Sequence, residues 1–360
     1  MGGLPVLTLN SDHHNYWNSL RQAAPVQVEF GFRTETDLEE WERSYNRGQV
    51  PDVVPYGLNK MTSSGASFTM TTLAPLTAGQ GLALVLGGRG LPAVPGWSIA
   101  WDERIGLRLL ANPTGRKTGC GVIWATDEAR RGPAAQARTL LRMHMLRSLD
   151  LVWCLSRAQV APLRHALRRS DTRVEFLKFG VDTQFFSNTP LPLQPAVLSV
   201  GNDQDRDLPT LFAALQRVHD ARPEVKLRVQ FTGDLALPPG VERLPQMTHA
   251  ELRDEYARAS LIAIATRPNL HVSGMTAALE AMSTGRPVVL SRTPGAEDYV
   301  ADGVWGALAQ TGNAADMARL ILLCLETGTA QRLGAAARDA AEREFDTTQM
   351  AERLAAILRS

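Results

Sequence analysis

Nowhere in this chain do apolar residues run on for the ~20 positions a helix needs to cross a bilayer. The first residues also lack the charged-then-apolar pattern of a secretory signal. Cysteine is scarce: Cys120, Cys154 and Cys324 are three in number and widely spaced. An odd, scattered set excludes a disulfide framework and a zinc knuckle, and the expectation is a protein of the reducing cytoplasm. Charge of one sign is missing as well. A net charge of +1 offers no overall attraction to nucleic acid. Neither half opens with Gly-x-Gly-x-x-Gly after its first apolar run, which argues against a dinucleotide oxidoreductase. Internal repeats and low-complexity tracts are absent too.

What the chain does have is an alternation. Its 360 residues suit two domains of roughly 150–200 residues each. Short apolar runs at 5–10, 119–126, 149–156 and 173–180 read as buried strands of a first half. Runs at 196–201, 226–233, 261–266 and 287–291 read as strands of a second. Helical stretches at 208–221, 249–259, 275–284 and 313–326 lie between the latter. Strands alternating with helices build βαβ units, hence parallel sheets covered on both faces. "SNTPLPLQP" (187–195) holds three prolines in nine residues and resists both helix and central strand, so the boundary falls there. The expected fold is α/β, two Rossmann-like doubly wound domains facing each other across a cleft. Residues 55–118 show no clear periodicity and read as irregular loops.

The chemistry centres on "HVSGMTAALEAMSTGRPVV" (271–289). A strand ends near Thr266, a short turn follows, and a helix begins near Met275. The first amides of a helix have no internal partner, and the helix dipole adds partial positive charge there. Small Ser273 and Gly274 admit an anion close to the backbone, so a phosphate is the natural guest. Glu280 stands about one and a half turns further in, roughly 8–9 Å along the axis. That spacing matches the separation of phosphate and ribose in a nucleotide, and a carboxylate accepts from a 2′,3′-diol. A solvated acidic helix face is the plain alternative for this stretch taken alone.

Four pieces in order change the balance: "FGVDTQFF" (179–186), "LSVGNDQDRDLPTLFAAL" (198–215), Leu279-Glu280-Ala281-Met282 with Gly285–Val289 and Thr293-Pro294-Gly295, and "EFDTTQMAERLAAIL" (344–358). This set resembles the GT-B glycosyltransferases of the retaining GT4 family. The resemblance implies a GT-B fold: an N-terminal acceptor domain (1–188), a C-terminal donor domain (189–345) and a last helix (346–360) returning to the first domain. It implies a metal-independent transferase with no cofactor, moving a sugar from a nucleotide diphosphate to a hydroxyl or amine acceptor. Glu280 then holds the ribose, and the backbone around Ser273, Gly274, Met275 and Thr276 holds the diphosphate. Gly201 and Asn202 belong to the donor loop.

Three departures from the family pattern stand out. Of a basic pair, the Lys position falls at Arg206 but the Arg position at Asn202, with Arg267 or Arg286 as substitute and Arg267 favoured. The alternative for Arg206 is a loop arginine paired with Asp203, Asp205 or Asp207. A second acid eight residues before Glu280 is replaced by Val272, with His271 beside it as a possible sugar contact or a plain loop residue. Where relatives carry a histidine after the 119–126 strand, this chain has Asp127, which either orients the acceptor or caps a helix at 128–131. Val272 and the missing basic partner keep a catalytically silent nucleotide-sugar binder open as an alternative. An epimerase or phosphorylase on the same fold is another.

"NSDHHNYW" (10–17) follows the first apolar run, and His13 or His14, with Asp12 beside them, is expected to meet the acceptor and move protons. The carboxylates of "DQDRD" (203–207) suggest a hard cation, but the GT-B resemblance implies positive side chains and helix dipoles instead, so no metal is expected. Residues 127–178 hold eleven Arg or Lys against five Asp or Glu. That stretch reads either as an amphipathic surface or as a peripheral membrane contact.

Overall fold

The computed structural model of this chain describes residues 25–77, 79–81, 84, 91–128 and 132–360. His13, His14 and Asp12 lie outside the described residues, as does the apolar run 5–10.

Two six-stranded sheets form the framework. The first comprises β1 (Gln27–Arg33), β2 (Ser67–Leu73), β3 (Trp97–Ala100), β4 (Lys117–Gly121), β5 (Leu151–Cys154) and β6 (Arg173–Phe176), in the order β2-β1-β3-β4-β5-β6. The second comprises β7 (Ala196–Ser199), β8 (Lys226–Gln230), β9 (Val241–Leu244), β10 (Leu261–Ile264), β11 (Val288–Ser291) and β12 (Gly306–Ala309), in the order β12-β11-β10-β7-β8-β9. Every pairing is parallel. Central strands such as "LVWC", "AVLS" and "LIAI" are buried along their whole length, as strands covered on both faces must be. Among the described residues no helix is long and apolar enough to cross a membrane. The three cysteines are free and buried.

Strand order locates the ligand crevice before any side chain is considered. In an open α/β sheet the crevice lies beyond the carboxyl ends, where strand order reverses. In the first sheet that point falls between β1 and β3, so the segments after Arg33 and Ala100 flank it. In the second it falls between β7 and β10, so the loops "VGNDQDRD" and "ATRPNLHVSG" flank it.

Residues 187–195 carry no helix or strand and join the two sheets. The last helix, Thr347–Arg359, returns to the first sheet, where Trp97 Nε1 donates to the Leu358 carbonyl at 2.8 Å. Expectation and structure part at 55–118. That stretch holds a kinked 3-10 segment (Pro55–Ser64), β2, β3 and a helix (Glu103–Ala111). β2 is an edge strand, mostly exposed and rich in Ser and Thr, so no apolar run marks it. β3 is only four residues long, too short to show a period.

Candidate active site in the interdomain cleft

The helix Met275–Ser283 opens on Gly274, which sits in the left-handed region at φ 86. A Cβ there would lie 2.5 Å from Ile264 Cγ2, so glycine alone suits both the conformation and the packing. The turn before it is tightly wired. Ser273 donates its amide to Asn269 Oδ1 at 2.9 Å and its hydroxyl to Asp203 Oδ1 at 2.7 Å. The Met275 amide donates to the Val272 carbonyl at 3.1 Å. Among the described residues, no acceptor meets the amides of Gly274, Thr276 and Ala277. Of the expected group, Gly274 and Thr276 keep open amides and Ala277 joins them, whereas the amides of Ser273 and Met275 serve the turn itself. Thr276 is exposed, and Gly274 is partly so.

Glu280 lies on the same helix, 7% exposed, and receives the Tyr256 hydroxyl at 2.8 Å on Oε2. Burial pushes its carboxyl up to about 7, with the Tyr256 hydrogen bond pulling the other way. A solvated acidic face is excluded. A carboxylate desolvated and given one donor remains available to further hydroxyl donors.

His271 is 3% exposed and joins the two halves. Its Nδ1 meets Asp127 Oδ2 at 2.8 Å, and its Nε2 meets Asp203 Oδ1 at 3.4 Å. Asp127, in the short helix Ala125–Glu128 of the first half, also accepts from the Leu270 amide at 2.9 Å and the His271 amide at 3.2 Å. Asp127 thus sits within a helix rather than ahead of one, and its carboxylate is spent on the opposite domain. His271, with both ring nitrogens engaged inside the protein, is a bridge rather than a loop residue. Burial opposes its charge, but hydrogen bonds to Asp127 and Asp203 prevail and hold the imidazole at about 9. Burial pushes the Asp203 carboxyl up, but the His271 ring, the Asp205 amide and the Ser273 hydroxyl together hold it well below the usual carboxylate range.

Asp203, Asp205 and His271 bring one ligand atom each within 4.8 Å of one another. In this structure the trio is paired internally, with His271 Nε2 3.4 Å from Asp203 Oδ1 and 3.9 Å from Asp205 Oδ2.

Arg206 is 6% exposed and turns inward: its guanidinium donates to the Val200 carbonyl and to Ser199 Oγ, the latter at 2.6 Å. It buttresses the turn at Gly201 (φ 111) from beneath, and burial lowers its pKa to about 10. Asn202 is exposed and donates to Gln246 Oε1 at 2.8 Å. Arg267 is exposed at the lip of the β10 loop. Arg286 is fully buried and donates to the carbonyls of Thr189, Pro190, Tyr256, Ala257 and Thr284, so it fastens the linker and stands apart from any phosphate.

A cavity of about 470 Å³ opens between the two reversal points. Arg33, Trp101 and Asp102 come from the first, and Thr276 and Glu280 from the helix after the second, with Asp182 of the crossing segment below. Tyr56, Trp101 and Asp52 were not singled out in the sequence. For Asp52 and Tyr56 the signal was Pro51-Asp52 and Pro55-Tyr56-Gly57, turn-forming clusters at the start of the stretch read as irregular and just before it. Glu103, buried entirely, accepts from the amides of Ile123, Trp124 and Ala125 and so fixes the loop that carries Asp127.

Residues 194–327 match the family described as glycosyl transferases group 1. The described residues have the GT-B fold. Sucrose-phosphate synthase from Thermosynechococcus elongatus superposes with a TM-score of 0.67 over 93% of this chain and 98% of its own, at 16% identity. Anabaena HepE, solved with UDP and glucose, gives 0.64 over 93% and 100%, also at 16% identity. A glycosyltransferase from Rickettsia africae gives 0.59 over 94% and 98%, at 12% identity. No curated protein sequence matches the chain. The matched segment includes the open amides of the Met275 helix and Glu280, whereas Asp127 and the aromatic wall of the cavity lie outside it.

Proposed function

We propose that this protein transfers a sugar from a nucleoside diphosphate to a hydroxyl or amine acceptor, with retention of configuration and without a metal. The observation that carries this reading is the set of open amides at Gly274, Thr276 and Ala277 with Glu280 on the same helix, of which Thr276 and Glu280 line the interdomain cavity. The amides and the helix dipole receive the diphosphate. Glu280 accepts from the ribose diol. Arg267 adds positive charge from the lip, and Arg206 holds the loop beneath and contributes its field. The acceptor enters from the aromatic side of the cavity and attacks the sugar carbon on the face the diphosphate leaves. The bond from that carbon to the phosphate oxygen breaks, and the acceptor's proton passes to the departing oxygen. Charge growing on the diphosphate meets donors already aimed at it, which lowers the barrier. HepE was solved with UDP and glucose, in keeping with a donor of this class. Retention, the GT4 subfamily and a cytoplasmic location belong to the same proposal.

A second reading rests on Val272. At the position where the resembling family carries a sugar-contacting acid, this chain places a side chain 1% exposed with φ 53. A protein that binds nucleotide sugars without transferring them fits that replacement.

UDP, GDP and dTDP should be screened by their effect on the unfolding midpoint, since a ligand of the folded state raises it. At least one is expected to raise it, and Glu280→Ala to weaken that nucleotide about a hundredfold, as loss of two bonds to a charged acceptor costs about 3 kcal/mol or more. Unchanged affinity in a folded variant removes the ribose contact. Donor turnover then separates transfer from silent binding, and product analysis without acceptor separates both from epimerase or phosphorolysis chemistry.

A further inference from the structure

The donor reading leaves one wall of the cavity without a role. Seven of the 21 lining residues are aromatic, in a chain where aromatics make up 6%. Tyr56 stacks on Trp101 with ring centres 4.2 Å apart and planes at 12°, and 40% of Tyr56 remains exposed. Asp52 and Tyr56 both take left-handed backbone conformations, at φ 57 and 65. Non-glycine residues adopt that region only where the surroundings hold them there, and such strain gathers at ligand sites.

Acid outnumbers base on this wall. Among the described residues the lining holds the carboxylates of Asp52, Asp102, Asp182 and Glu280 against the single guanidinium of Arg33. Arg33 is already paired with Asp102 at 3.1 Å. Lys60, behind the lining, sits 2.5 Å from Asp52. Burial, followed by the charge of Asp182, still lifts the Asp52 carboxyl to about 6. His249 adds no countercharge, because burial lowers its pKa and keeps the ring neutral. Flat aromatic faces beside carboxylates short of positive charge are the chemistry that receives an ammonium on a ring. The same wall repels a phosphate or carboxylate on the acceptor.

We propose that the Tyr56–Trp101 platform and the Asp52–Asp182 wall form the acceptor subsite, and that the acceptor is a hydroxylated ring bearing an amine, of the amino sugar or aminocyclitol class. This rests on the transferase reading above. The ring lies on the aromatic platform, the ammonium faces the carboxylates, and a ring hydroxyl is the group that attacks. The ammonium itself takes no part in bond making.

Glucosamine, glucose and glucuronic acid share one ring and differ in charge. Their binding is followed by tryptophan fluorescence, in the presence of whichever of UDP, GDP or dTDP raises the unfolding midpoint. Glucosamine is expected to bind at least tenfold more tightly than glucuronic acid, with glucose between. Asp52→Asn is expected to bring that ratio toward one, and Tyr56→Ala to weaken all three rings several-fold. Glucuronic acid binding as tightly as glucosamine overturns the proposal and leaves the donor site standing. A wild-type protein that binds no nucleotide overturns the reading beneath it instead. Should Asp52→Asn fail to fold, the ratio in the wild-type protein decides alone.

Discussion

Among the buried carboxylates near the cleft, Asp127 from the first half and Glu280 from the second are provided for in opposite ways. Asp127 accepts from two backbone amides and from the His271 ring. Among the described residues Glu280 accepts from Tyr256 alone. A buried charge that is fully solvated by protein donors holds structure together, whereas one left short of donors is expensive until something binds. The first is a fastening and the second is a waiting acceptor. That division also explains why the sequence departs from its relatives at two places that turn out to be one. Asp127 stands where the resembling family has a histidine, and His271 stands beside the position where it has an acid. In this structure they touch each other across the cleft.

The largest test of the comparison is removal of the fastening. Asp127→Ala strands a buried imidazole and two amides, and breaking a buried pair in this way costs about 3–5 kcal/mol. Denaturant unfolding should show that loss. A drop below about 1 kcal/mol, or nucleotide affinity lost with no change in stability, would reverse the roles assigned to the two acids.

Glu280→Gln should act with the opposite sign. The folded protein holds the Glu280 proton to about pH 7, against 4.5 for the free side chain, so protonation favours folding and the charged form opposes it. Below pH 4.5 wild type and variant should be alike. As pH rises to 7 the wild type loses stability that the variant keeps, up to about 3 kcal/mol from a shift of that size. The same variant should bind nucleotide less tightly than wild type above pH 7. A variant no more stable than wild type at pH 8 would mean that Glu280 is better provided for than its single donor indicates.

These contrasts mirror what could be read from residues alone. In the second half the helix expected at 208–221 is Leu208–Ala221, and that expected at 275–284 ends one residue short, at Ser283. Buried parallel strands advertise themselves as apolar runs, and glycine at the helix start marks the cradle. In the first half the runs at 119–126, 149–156 and 173–180 overlap β4, β5 and β6, but β1, β2 and β3 stay hidden. β1, "QVEFGFR", carries a charge in mid-strand, where Arg116 pairs with Glu29 at 3.0 Å, and no local pattern announces that partner. The aromatic platform was equally out of reach, because Tyr56 and Trp101 meet only through tertiary packing. The pairing of Asp127 with His271 spans 144 positions in the chain, and neither residue alone distinguishes a fastening from a cap or a sugar contact.

The smallest effect probes how finely Glu280 is poised. Tyr256→Phe removes its one donor and leaves the ring packed edge-on to Phe186 at 6.0 Å. With less to offset burial, the Glu280 carboxyl should rise above about 7, and the pH at which nucleotide binding strengthens should move up with it. A hydrogen bond of this kind is worth about 1 kcal/mol, hence less than about one pH unit. Affinity measured at half-unit steps from pH 6 to 9 resolves such a displacement. Movement of the curve to lower pH would show that the hydroxyl withholds Glu280 from its ligand instead of readying it, and the distinction between a satisfied acid and a waiting one would have to be drawn elsewhere in the cleft.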